Sequence, residues 1–415
     1  MTGIDRIIVS SDDKVTAGKE NFTVEVSRYI YDTGDFRRKL VYMKIVVAID
    51  SFKGSMTSME AGNAVKKGIL AAKPDAEVVV NPLADGGEGT VDALIEGLGA
   101  KKIPVTVTGP LGEKVSCYYG FLEETKSAVM EMASAAGITL VTKKDPLRAS
   151  TYGVWEMIAD ALKRGCKNFI IGIGGSATND GGIGMLKALG FEFFDEDGND
   201  VGEGAVALVK IEVIRTENKN PLLSGAKFQI ACDVKNPLCG KQGATYIFGP
   251  QKGVTEEQKE QVDEAMRHYA DVTKESLGCD FADCEGAGAA GGLGYAFLSY
   301  LAGELIPGVE LILHATGLEE KMKNADVVVT GEGRLDAQTV MGKAPVGVAA
   351  LAKKYDAKVI AFAGSVAPEA KVCNQAGIDA FFPIVRGVTT LEEAMKKENA
   401  MENIAATAEQ VFRLL

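Results

Sequence analysis

Apolar and polar positions fall into a regular rhythm from Met43 onward. Lys44-Ile-Val-Val-Ala-Ile-Asp50 is a run of mostly β-branched residues closed by an acid, the pattern of a strand buried on both faces. The next segment changes to a period of 3.6. Ala61, Ala64, Val65 and Ile69 fall on one helical face, and Thr57 followed three residues later by Glu60 has capping-box spacing at its start. Strands are predicted at 77 to 80, 169 to 173, 228 to 231, 325 to 330 and 358 to 363, with helical periodicity between them. Such alternation is the signature of βαβ units around a parallel sheet.

Two stretches break the rhythm. Between 103 and 122, Val105, Val107, Val115, Cys117 and Tyr119 alternate around Gly109-Pro-Leu-Gly112, which predicts an antiparallel hairpin. A hairpin inside a βα series points to an inserted unit. The expected fold class is therefore α/β with two domains: a Rossmann-like parallel-sheet domain from 43 to 103 and 291 to 415, and an inserted second α/β domain from 104 to 290. The other break is at the start. Residues 1 to 42 scatter seven basic and seven acidic side chains with no apolar run of the secretory kind. They are expected to be an extension outside the enzyme, in preference to an extra strand pair joining 6 to 9 with 21 to 24.

Composition narrows the function classes. Of the 415 residues 46% are apolar and 25% charged, the balance of a globular chain able to bury a core. A formal charge of −12 argues against nucleic acid or an anionic membrane as the main partner. No apolar run reaches the roughly 18 to 20 residues of a membrane span. The seven cysteines contain no C-x-x-C pair and read as thiols of a reducing, cytoplasmic setting. Only two histidines, His268 and His314, are present, so a Ser-His-Asp hydrolase or a His-ligated metal is not expected. Self-association into a homo-oligomer stays open.

The candidate chemistry lies in glycine-rich turns that carry acids. They are Asp50-Ser-Phe-Lys-Gly-Ser55, Ala84-Asp-Gly-Gly-Glu-Gly-Thr90, Gly172-Ile-Gly-Gly-Ser-Ala-Thr-Asn-Asp-Gly-Gly182, Cys232-Asp233 and Thr330-Gly-Glu-Gly-Arg-Leu-Asp336. Glycine lets backbone N–H groups approach phosphate oxygens, and neighbouring carboxylates suit Mg²⁺. One such turn is as readily a tight βα connection or a helix cap. Five in one chain point to a shared cleft, because loops at strand carboxyl ends converge on one sheet edge. Lys53, Arg334 and Lys343 add the positive charge that phosphoryl transfer requires, with a local ion pair as the plainer reading of Arg334. There is no P-loop. Gly172-x-Gly-x-x-Ala177, with Glu192 further on, is a degenerate dinucleotide fingerprint and keeps a dehydrogenase as an alternative, beside a non-catalytic nucleotide-binding regulator.

These motifs, together with Leu83 to Thr90, Gly109-Pro-Leu-Gly112, Ala231-Cys-Asp-Val234, Phe248-Gly-Pro-Gln-Lys-Gly253 and Gly286-Ala-Gly-Ala-Ala-Gly-Gly-Leu-Gly294, resemble the bacterial type-1 glycerate kinase family from Met43 to the end of the chain. The resemblance implies ATP-dependent phosphorylation of D-glycerate, typically at the 2-hydroxyl, in a cleft between two α/β domains. On that basis Asp180, Asp233 and Asp85 are expected to form the acidic centre, with Asp180 and Asp233 as Mg²⁺ ligands and one acid as base. Gly174, Gly175, Ser176, Thr178 and Asn179 are expected around the ATP phosphates. Lys53 and Arg334 would neutralise the transferred group or hold the glycerate carboxylate. Gly291 and Gly292 would either serve ATP or pack helix against sheet.

Overall fold

The computed structural model describes residues 24–26, 29–31, 43–84 and 90–415. Its strands, in chain order, are β1 (Val24–Val26), β2 (Tyr29–Tyr31), β3 (Lys44–Val47), β4 (Glu77–Val80), β5 (Lys101–Thr108), β6 (Lys114–Leu122), β7 (Ser127–Glu131), β8 (Asn168–Gly172), β9 (Glu192–Phe194), β10 (Val213–Arg215), β11 (Lys227–Ala231), β12 (Glu304–Ile306), β13 (Val327–Leu335), β14 (Lys358–Val366) and β15 (Ala380–Pro383). Of the predicted strands, that at 325 to 330 runs on to Leu335 and that at 358 to 363 to Val366. The alternative pairing of 6 to 9 with 21 to 24 falls largely outside the described residues; β1 pairs with β2.

Two sheets organise the chain. The first has five strands in the order β15-β14-β13-β3-β4, all parallel. Both faces are covered, as a fully parallel sheet requires. Ile45, Val47, Val327, Val329, Ile360 and Phe362 point to one side, where helices Ser58–Ala72 and Lys397–Phe412 pack. Val46, Val328, Val359 and Ala361 point to the other, toward helix Ala344–Lys353. The first helix begins as its sequence dictates, with Thr57 and Glu60 closing a reciprocal capping box, an arrangement worth about 1 kcal/mol. It approaches the last helix so closely that a Cβ on Gly68 would lie 2.0 Å from the Ala405 carbonyl oxygen.

The second sheet has six strands in the order β12-β11-β8-β7-β6-β5. β5 and β6 form the expected antiparallel hairpin, while β7, β8, β11 and β12 run parallel. One face carries a large core that includes Phe169, Ile171, Phe228, Ile230, Tyr269 and Phe297. Val129 and Ile170 on the opposite face reach the same apolar layer as helix Ala344–Lys353, so the two sheets share packing. The pairing of β12 with β11 and the burial of Leu293, Tyr295 and Phe297 keep the chain with this sheet through Ile306, beyond the expected boundary at 290. Among the described residues no helix is long and apolar enough to cross a membrane.

Candidate active site

The carboxyl ends of both sets of parallel strands open into clefts. At the five-stranded sheet, β3 leads through Ala48 and Ile49 to Asp50, still laddered to β13 by Ala48 N–H to the Val329 carbonyl (2.7 Å) and Asp50 N–H to the Gly331 carbonyl (2.9 Å). Beside it, β13 and β14 stay paired as far as Leu335 and Val366, which carries Glu332 and Arg334 out past the sheet on a rigid ribbon. A Cβ at Gly331 would stand 2.0 Å from the Phe362 carbonyl, so only glycine allows this approach. The resulting cleft is about 680 Å³. Asp50, Lys53, Glu332, Arg334, Asp336 and Lys343 line its charged end, and Ile384, Val385, Leu391, Ala394 and Met395 an apolar wall.

The charges in this cleft are mutually arranged. Glu332 accepts from Thr339 Oγ1 at 2.7 Å and lies 3.6 Å from Lys343 Nζ. Burial pushes its carboxyl above the ordinary range, opposed by those two neighbours. Arg334 Nε is 3.5 Å from Asp336 Oδ2, the local ion pair read from the sequence, yet its side chain is 68% exposed and open to the cleft. Asp50 is buried and accepts from the Ser51 N–H at 2.7 Å.

At the six-stranded sheet the chain leaves β8 into the loop Ile173 to Gly182. Its crest, Gly174 and Gly175, is exposed, and Gly175 takes a left-handed φ of 75°. The loop is tied down by Ile138 N–H to the Gly175 carbonyl (2.8 Å) and Ala177 N–H to the Ala136 carbonyl (2.9 Å). The N–H groups of Gly174, Gly175 and Ser176 donate to no backbone group among the described residues. A cleft of about 220 Å³ lies here, lined by Gly174, Gly175, Ser176, Asp233 and Lys252 among others. Lys252 ends helix Ala244–Lys252 and is 2% exposed. Its ammonium donates to Ser176 Oγ and to the Thr178 carbonyl, each at 2.7 Å. Burial pulls its pKa down to about 7, with the Asp180 charge opposing. Asp233 is exposed and accepts from the Gly308 N–H at 2.8 Å.

The model of the glycerate kinase family matches residues 45–415. The chain belongs to the glycerate kinase family. It is 46% identical over 371 residues to a glycerate kinase of Bacillus subtilis (strain 168), covering 89% of this chain and 97% of that one. To a glycerate 2-kinase of Escherichia coli (strain K12) it is 46% identical over 372 residues, covering 88% and 98%. A crystal structure described as "putative glycerate kinase 2 from Salmonella typhimurium LT2" superposes with a TM-score of 0.83 at 43% identity, over 89% of this chain and 97% of that one. Because the family match begins at residue 45, a chain starting at Met43 is expected to keep its turnover and its melting temperature within about 2 °C. A large loss in either would show that the first 42 residues belong to the working enzyme.

Within this family frame, the expected site residues separate. Gly174, Gly175, Ser176 and Asp233 come together at the smaller cleft, Lys53 and Arg334 at the larger. Asp180 joins neither. It is fully buried, its Oδ2 accepting from Thr151 N–H (2.8 Å), Thr151 Oγ1 (2.8 Å) and Gly184 N–H (3.3 Å) and its Oδ1 from Gly182 N–H (3.1 Å). Burial raises its carboxyl pKa against those four donors. An acid so placed braces the loop onto helices Tyr152–Lys163 and Ile183–Ala188, and lines neither cleft.

Thr178 and Asn179 are also buried beneath the loop, Asn179 donating to Thr245 Oγ1 at 3.0 Å. Gly291 and Gly292 act by close packing: a Cβ at either would come within 2.1 Å of the Thr178 carbonyl or 2.8 Å of Gly181 Cα. Asp85 lies outside the described residues. The dinucleotide fingerprint is not supported either, since no helix starts at its glycines; the next one begins at Ile183.

Sequence reasoning missed Lys252 as a site residue. Within Phe248 to Gly253, a lysine at a helix end before glycine has the pattern of an ordinary solvated C-terminus. Glu332 and Asp336 belong to the acid-bearing glycine turns but carry no role of their own among the expected site residues. The donor set at the larger cleft, three carboxylates from Asp50, Glu332 and Asp336, has the hard-oxygen chemistry that Mg²⁺ prefers. Among the described residues no group of three or more His, Cys, Asp or Glu side chains is close enough to hold a metal by itself. Mg²⁺ sites of this kind are commonly completed by water and substrate phosphate.

Proposed function

We propose that this chain is a cytoplasmic enzyme that transfers the γ-phosphoryl group of ATP to the 2-hydroxyl of D-glycerate, in a site formed where the carboxyl edges of the two sheets meet. The observation that carries this reading is the larger cleft, whose apolar wall and charged end match a purine and a polyphosphate. Family membership supports it, and the relative from Escherichia coli named as a glycerate 2-kinase supports the position of transfer. The two sheets are taken as the centres of two domains. Asp50, Glu332 and Asp336 would hold Mg²⁺, which supplies charge neutralisation at the phosphates. Lys53, Arg334 and Lys343 add positive charge to the same end, where the transferred group becomes most negative. Asp233 accepts the hydroxyl proton as the oxygen attacks.

The test is a coupled assay of ADP release with three-carbon hydroxy acids, followed by phosphorus NMR of the product. Turnover with D-glycerate and a 2-phosphoglycerate resonance are expected. A 3-phosphoglycerate product would overturn the assigned position, and absence of turnover with any hydroxy acid would overturn the reading as a whole.

A further inference from the structure

The two clefts differ in size. The smaller, at about 220 Å³, falls below the ~300–1,000 Å³ usual for sites that enclose drug-sized ligands, whereas the larger, at about 680 Å³, lies within it. A nucleotide fits only the second. The first is lined by Lys252, Asp233 and the loop residues Gly174, Gly175 and Ser176, whose N–H groups donate to no backbone group among the described residues, beside apolar residues such as Phe248 and Val234.

Lys252 is the unusual member. An ammonium has three donors and is costly to bury without a counter-charge. Here two donors are taken by neutral oxygens of Ser176 and Thr178, and the opposing charge felt at the ammonium is that of Asp180, whose carboxylate is held by four donors of its own. A buried cation that lines a small cleft and keeps a donor in reserve is arranged for an anion that arrives from outside. Asp233, across the same cleft, sets the opposite requirement, because its carboxylate accepts a hydroxyl and repels a second anionic group. One anionic group beside one hydroxyl is the pattern of a hydroxy acid. A polyphosphate would bring several negative charges against a single ammonium and face Asp233 as well.

Resting on the kinase reading above, we propose that the smaller cleft is the hydroxy-acid subsite, in which Lys252 and the Gly174 to Ser176 amides grip the carboxylate and Asp233 meets the hydroxyl, while the nucleotide occupies the larger cleft. This reverses the sequence-based expectation that the glycine loop cradles ATP.

The test measures KM for glycerate and for Mg-ATP separately, together with melting temperature, in wild type, Lys252→Met and Gly174→Val. Gly174 is the control for folding: its φ is outside the left-handed region and nothing stands within 4 Å of where a Cβ would be, so valine intrudes on the cleft without strain. The expected result is a rise in glycerate KM of ~30–100-fold for Lys252→Met, the loss of a charge-assisted hydrogen bond, and of ~10-fold or more for Gly174→Val. KM for Mg-ATP should stay within about threefold in both. If Lys252→Met fails to fold, Gly174→Val decides alone. A rise in Mg-ATP KM with glycerate KM unchanged, or no change in either, overturns the proposal while leaving the kinase reading intact. A wild-type protein that does not phosphorylate glycerate overturns both.

Discussion

Asp233→Asn is expected to lower kcat by ~10²–10⁴, the range for removing a general base, while the melting temperature stays within about 2 °C. The side-chain amide keeps the size of the carboxylate, and its oxygen can still accept the Gly308 N–H that Asp233 binds at 2.8 Å. What disappears is the capacity to take a proton. Asp233 follows β11 directly, at the carboxyl edge where the parallel strands deliver their loops. Steady-state rates with glycerate and a thermal melt suffice as the measurement. Turnover close to wild type would remove Asp233 from the reacting centre and leave it as the cap of helix Gly308–Ala315.

Asp180→Asn should show the opposite division of effects. Four donors converge on the Asp180 carboxylate in a fully buried site. An amide can present its oxygen to only one side, so its NH₂ must oppose either the Gly182 N–H or the group formed by Thr151 and Gly184. Leaving buried donors unmatched costs ~2 kcal/mol or more, equivalent to a fall in melting temperature of roughly 4–8 °C. The loss should therefore appear as stability first. An unchanged melting temperature with a ~10²-fold drop in kcat would instead return Asp180 to the acidic centre that the sequence suggests.

That contrast shows what was legible before the fold was known. Strand and helix types could be read wherever the apolar pattern was long and unmixed, as at 44 to 50, 228 to 231 and 358 to 363, and the Thr57 capping box was explicit in two residues. β12 was not legible, because three residues offer no period and its place beside β11 is set entirely by tertiary pairing. The acids of the glycine turns stand out in the sequence as a class, but the sequence does not tell which point outward. Asp180 and Asp233 both follow a parallel strand, yet one is enclosed by Thr151 and the start of a helix while the other stays exposed. Lys252 is the converse case. A residue type that is nearly always solvated is buried here by the packing of helix Ala244–Lys252 on the glycine loop, a long-range contact without a local signature.

The outer strands of the two sheets bear on how copies of this chain can meet. β5 is the longest of them at eight residues, and it opens with Lys101 and Lys102 and carries Pro104, which has no N–H to offer a neighbour. The remaining three, β4, β12 and β15, are only three or four residues long, and β15 closes on Pro383. Each border thus resists templating another strand, which guards a protein rich in Val and Ile runs against ribbon-like aggregation. Among the described residues, these borders favour assembly through side-chain surfaces over a sheet continued from one copy to the next.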